Sequence, residues 1–264
     1  NYSPYNLKRH AIQESIYGVD IDPSAIDIAR LRLWLSMIVD EEDYETIEAL
    51  PNLDYKIVCG NSLVGFPKDW QSPAFDKIEA LKNSFFDETD LARKKEIKNQ
   101  IDTEIQERLD TSERVFGYKV DFDFKLFFSE VWRYNNGFDV VIGNPPYVNI
   151  ANIKSSSFRE FLKTNFLVAR NKSDLYSFFT EKGIKLTKPK GVLYFIVSNS
   201  WLGIDSFVNF RKFLVEKTTV LELVKCKGDV FDATVTPVIF GLKNLFADDY
   251  EIPLKKWKEK ILFG

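Results

Sequence analysis

Asn144-Pro145-Pro146-Tyr147 follows directly on Phe138-Asp139-Val140-Val141-Ile142-Gly143, an apolar run with the length of a buried strand. Two successive prolines remove backbone donors and hold the chain extended. The Asn144 side-chain oxygen and the Pro145 carbonyl can then both point outward, unclaimed by a helix or a sheet ladder. Together they can accept two hydrogen bonds from one exocyclic amino group. Gly143 permits close backbone approach to a ligand, and the Tyr147 ring offers a face on which a planar base can stack. Pro-Pro alone would read as an ordinary proline turn with a surface tyrosine; the whole tetrapeptide at a strand end makes that the minority reading.

The chemistry has to manage without imidazole. His10 is the single histidine, and Cys59 and Cys226 are the only cysteines. Neither a zinc site nor a disulfide framework can be assembled from these, so no metal ligands are expected. Ser-His-Asp and Cys-His triads are excluded too, because their base would have to be His10, beside Lys8 and Arg9 near the start of the chain. Scarce cysteine points to a reducing, cytoplasmic setting. No apolar run reaches the roughly 18 residues of a membrane span, and no signal peptide is visible in the sequence. The chain starts at Asn1 without an initiator methionine and is expected to be processed or, in preference, a piece of something longer.

The elements that must position this turn can be read from periodicity. Ile16 to Asp22 is a short apolar run ending in carboxylates; Pro23-Ser24 and the apolar-rich stretch Ala25 to Val39 follow, giving strand, turn and helix. Asp22 or Ser24 is the expected N-cap, and Ala25, Ile28, Ala29, Leu31, Leu35 and Ile38 the expected packing residues. Further strands are predicted at Tyr55–Cys59, Phe138–Ile142 and Gly191–Val197, the last after a helix through Tyr176 to Leu186. Val220–Lys225 and Val235–Gly241 form an antiparallel pair. Strands alternating with helices give an α/β fold with a mostly parallel sheet and a ligand crevice at the strand carboxyl ends.

A long insertion, residues 67–130, separates the second and third strands. Ile97, Ile101, Ile105 and Leu109 recur every four residues, and Ile78, Leu81 and Phe85 keep helical spacing, which predicts a helical hairpin. Residues 76–114 hold 8 basic and 11 acidic side chains, a mixture typical of a solvated helix face. The net charge of −3 conceals an uneven distribution: −10 over residues 1–150 and +7 over 151–264. A basic half suits a polyanion-binding face, although a solvated surface with chance asymmetry has the same composition. The tail 245–264 carries a basic cluster, Lys255 to Lys260, with no evident partner strand.

At the level of ordered motifs the sequence resembles the gamma-class adenine-specific DNA methyltransferases, the TaqI-like and type IIG enzymes of restriction-modification systems. The resemblance rests on GVDIDP, then GNS, then NPPY, followed by SDLYSFFTEKGIKLTKPKGVLYFIVSNSWLG and GDVFDATVTPVIFGL, and covers nearly the whole chain. It implies a Rossmann-like methyltransferase sheet with antiparallel terminal strands, S-adenosyl-L-methionine as cofactor and double-stranded DNA as partner. It further implies a fused or separate endonuclease and specificity domain. Asn144 and Pro145 of NPPY would hold the target adenine's amino nitrogen and draw its lone pair out of conjugation. Pro146 completes the motif. Tyr147 and Phe231 would stack on the two faces of an adenine swung out of the duplex. Asp20 would accept from the cofactor's ribose hydroxyls and Asn61 would meet its adenine amino group, though a turn asparagine is an equally good local reading of Asn61. Lys154, Arg159, Lys163, Arg170, Lys172, Lys225 and Lys227 form the basic cluster that would meet DNA phosphates.

Two departures accompany the resemblance. The glycine-rich cofactor turn is expected about 20 residues upstream of Asp20. Residues 1–15 contain no glycine and no strand. The first central strand, normally between the strand ending at Asp20 and the one ending at Gly143, is therefore missing, and a recognition domain is absent or reduced to the tail. Sequence thus leaves a methyltransferase domain lacking its N-terminal end beside a DNA-binding or scaffold module of the same fold without activity. A nucleotide-dependent oxidoreductase is disfavoured, since NPPY has no role in hydride transfer and the dinucleotide glycines are missing.

Overall fold

A computed structural model describes residues 4–39, 53–67, 74–169, 173–226, 236–246 and 254–256, which divide into two compact units, 1–130 and 131–264. In the first unit, α1 (Pro4–Ser15) is followed by β1 (Gly18–Asp20) and α2 (Pro23–Ile38). Asp22 caps α2, its carboxylate accepting the Ser24 N–H, and Pro23 occupies the first turn, where a missing donor costs nothing. β2 (Ile57–Cys59) pairs in parallel with β1, Asp20 lying opposite Cys59.

The stripe of α2 that is buried overlaps the expected one at Ala29 but is otherwise centred on different residues. Ile26, Ala29, Leu33 and Met37 pack with Tyr5 and Ile12 of α1 and with Leu53 and Ile57, whereas Ile28, Leu31 and Leu35 stay exposed. The helix is apolar on more than one side, so periodicity finds two stripes and cannot tell which one α1 and β2 will take.

The insertion forms the expected hairpin, α3 (Ala74–Asp87) and α4 (Leu91–Phe116), followed by the single turn α5 (Phe124–Phe127). Ile78, Phe85, Ile101, Ile105 and Leu109 are buried as their spacing predicts. Its charges are not all solvated, however. Glu79 is buried, and Lys82 is only 2% exposed. The Lys82 ammonium donates to the Phe127 carbonyl and lies 3.6 Å from the Glu130 carboxylate, so its desolvation is offset by a charge and an acceptor. Burial lowers its pKa from the ordinary lysine range, and Glu130 opposes that shift.

The second unit opens with α6 (Ser129–Asn135), which begins at the close of the first, and β3 (Phe138–Gly143). There follow α7 (Ser156–Asn165), α8 (Leu175–Leu186), β4 (Thr187–Ser198), α9 (Val208–Lys217), β5 (Thr219–Lys225), β6 (Pro237–Lys243) and β7 (Leu254–Lys256). The sheet order is β3-β4-β6-β5-β7, with β4/β6 and β5/β6 antiparallel and the other pairs parallel. Leu193, Phe195 and Val197 of β4 and Val238, Phe240 and Leu242 of β6 alternate onto one buried face, where the unit also buries Phe178 of α8 and Phe210 and Leu214 of α9. The opposite face leaves Val140 and Ile142 exposed.

Two expectations change. Among the described residues the strands form two sheets instead of one, and β1 and β3 each have a single partner in theirs. The tail does have a strand partner: Leu254–Lys256 pairs with Leu223–Lys225, covering the otherwise open edge of β5. A three-residue strand with two lysines carries too little pattern to be seen in sequence.

Replacing Lys82 with alanine leaves the half-buried Glu130 without its cation. Lys82→Ala is expected to destabilise the protein by about 3 kcal/mol in urea unfolding, and Lys82→Met, which restores the buried volume but not the charge, by only somewhat less.

Candidate functional site

β3, β4 and β5 run in the same direction, so Gly143, Ser198 and Lys225 end at one edge of the second unit's sheet. The parallel ladder with β4 carries β3 as far as Gly143, which lies opposite Phe195. A Cβ at residue 143 would stand 3.0 Å from the Phe195 ring. The glycine therefore relieves crowding beside that ring, a reason that adds to the ligand approach read from sequence.

Beyond Gly143 the ladder stops, because Pro145 and Pro146 have no N–H to offer. Asn144 is exposed, and among the described residues its side chain has no hydrogen-bond partner. Pro145 is buried while Pro146 is exposed. Tyr147 is half-buried: its hydroxyl donates to the Ile196 carbonyl of β4 at 3.2 Å, and its ring meets Tyr176 edge-on at 6.2 Å between centroids. Burial, with Cys226 nearby, pushes the Tyr147 phenol up in pKa, so it stays a neutral donor. Sequence indicated a stacking ring but not this anchor, since Ile196 is 49 residues away.

The residues after Tyr147 lie against the start of α8. Leu175 N–H donates to the Val148 carbonyl at 2.8 Å, and Ile150 N–H to the Ser173 carbonyl at 2.9 Å. Between them Asn149 and Asp174 form an antiparallel bridge, and the Asn149 amide donates to the Asp174 carboxylate at 3.0 Å. Neither residue stands out in sequence. Asp174 has the signature of a helix N-cap and occupies that position, yet its side chain makes no capping bond.

The basic residues differ in their commitments. Lys154, Lys163 and Lys225 are exposed and have no acidic partner among the described residues. Arg159 is half-buried and donates to the Ile153 carbonyl, bracing the loop before α7. Arg170, Lys172, Lys227 and Phe231 lie outside the described residues.

In the first unit, Asp20 and Asn61 stand at the carboxyl ends of neighbouring strands, where the Gly60 N–H donates to the Asp20 carbonyl at 2.8 Å. Asp20 is exposed; one carboxylate oxygen accepts the Asp22 N–H at 2.8 Å. A cavity of about 450 Å³ runs beside it, lined by residues including Tyr17, Gly18, Ala29, Arg32 and Leu33. The Asn61 side-chain oxygen accepts the Leu63 N–H at 3.0 Å, which is the geometry of a turn asparagine. Its backbone N–H donates to the Asp121 carboxylate at 3.3 Å, an acidic neighbour that sequence reading missed because it comes from the far end of the insertion. Phe122, the next residue, fills the space over Gly60: a Cβ there would come within 2.2 Å of the Phe122 Cβ.

Among the described residues there is no cluster that could hold a metal ion and no helix long and apolar enough to cross a membrane. The chain's fold is shared with the DNA complex of DrdV (TM-score 0.53, 16% identity, 96% of this chain and 22% of that one). It is shared equally with the ATP-dependent type ISP restriction-modification enzyme LlaBIII bound to DNA (TM-score 0.53, 14% identity, 94% and 15%). By sequence it is 25% identical to the type II restriction enzyme and methyltransferase RM.Eco57I of Escherichia coli over 226 residues, covering 83% of this chain and 18% of that protein. The type II methyltransferase M.TthHB8I of Thermus thermophilus is 30% identical over 109 residues, 38% of this chain and 24% of that one. LlaBIII, RM.Eco57I and M.TthHB8I are restriction-modification enzymes and methyltransferases. The chain belongs to the Eco57I restriction-modification methylase family, which it matches over residues 14–231. It spans about a fifth to a quarter of these curated relatives.

Removing only the Tyr147 hydroxyl tests its anchor. Tyr147→Phe is expected to cost about 1 kcal/mol of stability, read from the urea midpoint at unchanged m-value.

Proposed function

We propose that this chain is the methyl-transferring part of a restriction-modification enzyme that methylates the exocyclic amino group of adenine in double-stranded DNA. The observation that carries the reading is the turn at the end of β3. Asn144 is exposed and uncommitted there, followed by a carbonyl that no ladder claims and a tyrosine whose ring is held at its hydroxyl. Family membership supports the methyltransferase class.

In this reading the Asn144 oxygen and the Pro145 carbonyl accept both hydrogens of the adenine amino group. That removes its lone pair from ring conjugation and fixes the direction in which it attacks. No general base acts first, which fits a chain with a single histidine. Positioning and charge complementarity do most of the work. Tyr147 stacks on one face of the extruded base and Phe231 on the other. Lys154, Lys163 and Lys225, with Arg170, Lys172 and Lys227, contact phosphates without reading sequence.

The cofactor assigned is S-adenosyl-L-methionine, which supplies an electrophilic methyl group when bound. Asp20 fits its ribose: the carboxylate stands exposed at a strand end, with one oxygen not used by the Asp22 N–H, beside a cavity. Asn61 fits the adenine end less well, because its side-chain oxygen already accepts from Leu63.

In the full-length protein, Asn144→Ala is expected to abolish methyl transfer to adenine, measured as N6-methyladenine by mass spectrometry, while DNA affinity changes little. Transfer retained in this variant would overturn the mechanism. Calorimetric titration of the wild type with S-adenosyl-L-methionine separates an enzyme from a binding module of the same fold: absence of heat at millimolar cofactor would favour the module.

A further inference from the structure

The Asn144–Tyr147 turn leaves the sheet at an edge strand, so three anchors hold it: β3 before it, the Tyr147 hydroxyl on β4, and the segment after it on α8. The third anchor centres on Asp174. An aspartate at a helix N-cap normally accepts a backbone N–H of the first turn. Asp174 occupies the N-cap of α8 and forgoes that bond. Its carboxylate instead accepts the side-chain amide of Asn149 at 3.0 Å.

Asn149 is two residues after Tyr147, and its own oxygen accepts the Ala151 N–H at 3.0 Å, starting the short 3-10 turn Ile150–Asn152. One side chain therefore ties the chain leaving the turn both to itself and to α8. The backbone bonds at Val148 and Ile150 lie on either side of this contact. Tyr176, two residues after Asp174, is fully buried, stacks on Phe207 and backs the Tyr147 ring. Half-burial of Asp174 raises its carboxyl pKa, with Asn149 and Tyr176 opposing the shift.

We infer that Asp174 is a positioning residue: through Asn149 it fixes the segment that follows Tyr147 and so holds the Asn144–Tyr147 turn in the geometry that transfer to a flipped adenine requires. The inference rests on the reading of the turn given above. Misplacing a reacting group by about 1 Å costs on the order of a hundredfold in rate. A locked supporting contact is what prevents such drift.

Reversing the pair tests this. Asn149→Asp keeps the acceptor for Ala151 but sets two carboxylates against each other. In the full-length protein it is expected to lower kcat for methyl transfer about tenfold or more, with KM for DNA and cofactor within about twofold. Asp174→Asn alone is expected to be mild, since an amide oxygen still accepts from Asn149. The double variant Asn149→Asp/Asp174→Asn restores donor and acceptor in exchanged places and is expected to recover kcat to within about threefold of wild type. Hydrogen exchange on the cofactor-free protein gives a readout independent of activity: the Ile150 and Leu175 amides should exchange faster in Asn149→Asp and slow again in the double variant.

Losses that multiply in the double variant, a change confined to KM, or wild-type kcat in Asn149→Asp would each overturn the positioning role. So would loss and recovery of kcat with unchanged exchange at both amides. A wild-type protein that methylates no adenine overturns the function itself. The positioning role falls with it, and the exchange data then report a structural clasp alone.

Discussion

The absence of two backbone donors shapes the second unit. β3 is held by its ladder to β4 up to Gly143, and Pro145 and Pro146 then make further pairing impossible. The chain must leave the sheet there, so the Asn144 amide reaches solvent and the carbonyl of the buried Pro145 is left outside the ladder without breaking a ladder bond. The rest of the local architecture is what such an exit demands. The Tyr147 hydroxyl returns to a β4 carbonyl, and the next three residues are clasped to the residues that open α8. α8 in turn lies close to the sheet, because Gly183 leaves room for Leu193, whose terminal methyl would meet a Cβ at 2.3 Å.

Legibility followed the range of the interactions involved. β3, β4, the hairpin of α3 and α4 and the Asp22 cap were readable because each depends on neighbours within one strand or two helical turns. What escaped depends on distant partners. Lys82 has the look of a solvated lysine until Phe127 and Glu130, more than forty residues on, close over it. Ile28, Leu31 and Leu35 were expected inside, yet α1 and β2 took the other stripe of α2. Asp174 is a cap by local rules and a clasp by tertiary structure.

The site was legible to a similar degree. The motif residues at the end of β3 could be named from sequence alone; the bonds that hold them could not. Asn61 shows the ambiguity of short polar side chains in turns, since an oxygen that satisfies its own turn is less available to a ligand. Charge was informative in outline, and structure refines it. Lys77, Lys98 and Arg108 in the acidic first unit are spent on local ion pairs, whereas Lys154, Lys163 and Lys225 in the basic second unit are not. A solvated lysine without a carboxylate partner keeps its field for a distant polyanion.

β3 is an edge strand with Val140 and Ile142 facing solvent, Ile142 with 76% of its surface open, and Asp139 as its one charge. Natural edges are usually blunted by lysines, prolines or a bulge placed within the ladder. Here the ladder shifts register between Phe138 and Val140, and the prolines lie beyond its last pair at Gly143. The strand that delivers the motif thus also presents, among the described residues of its unit, an apolar edge of the kind to which another strand can add.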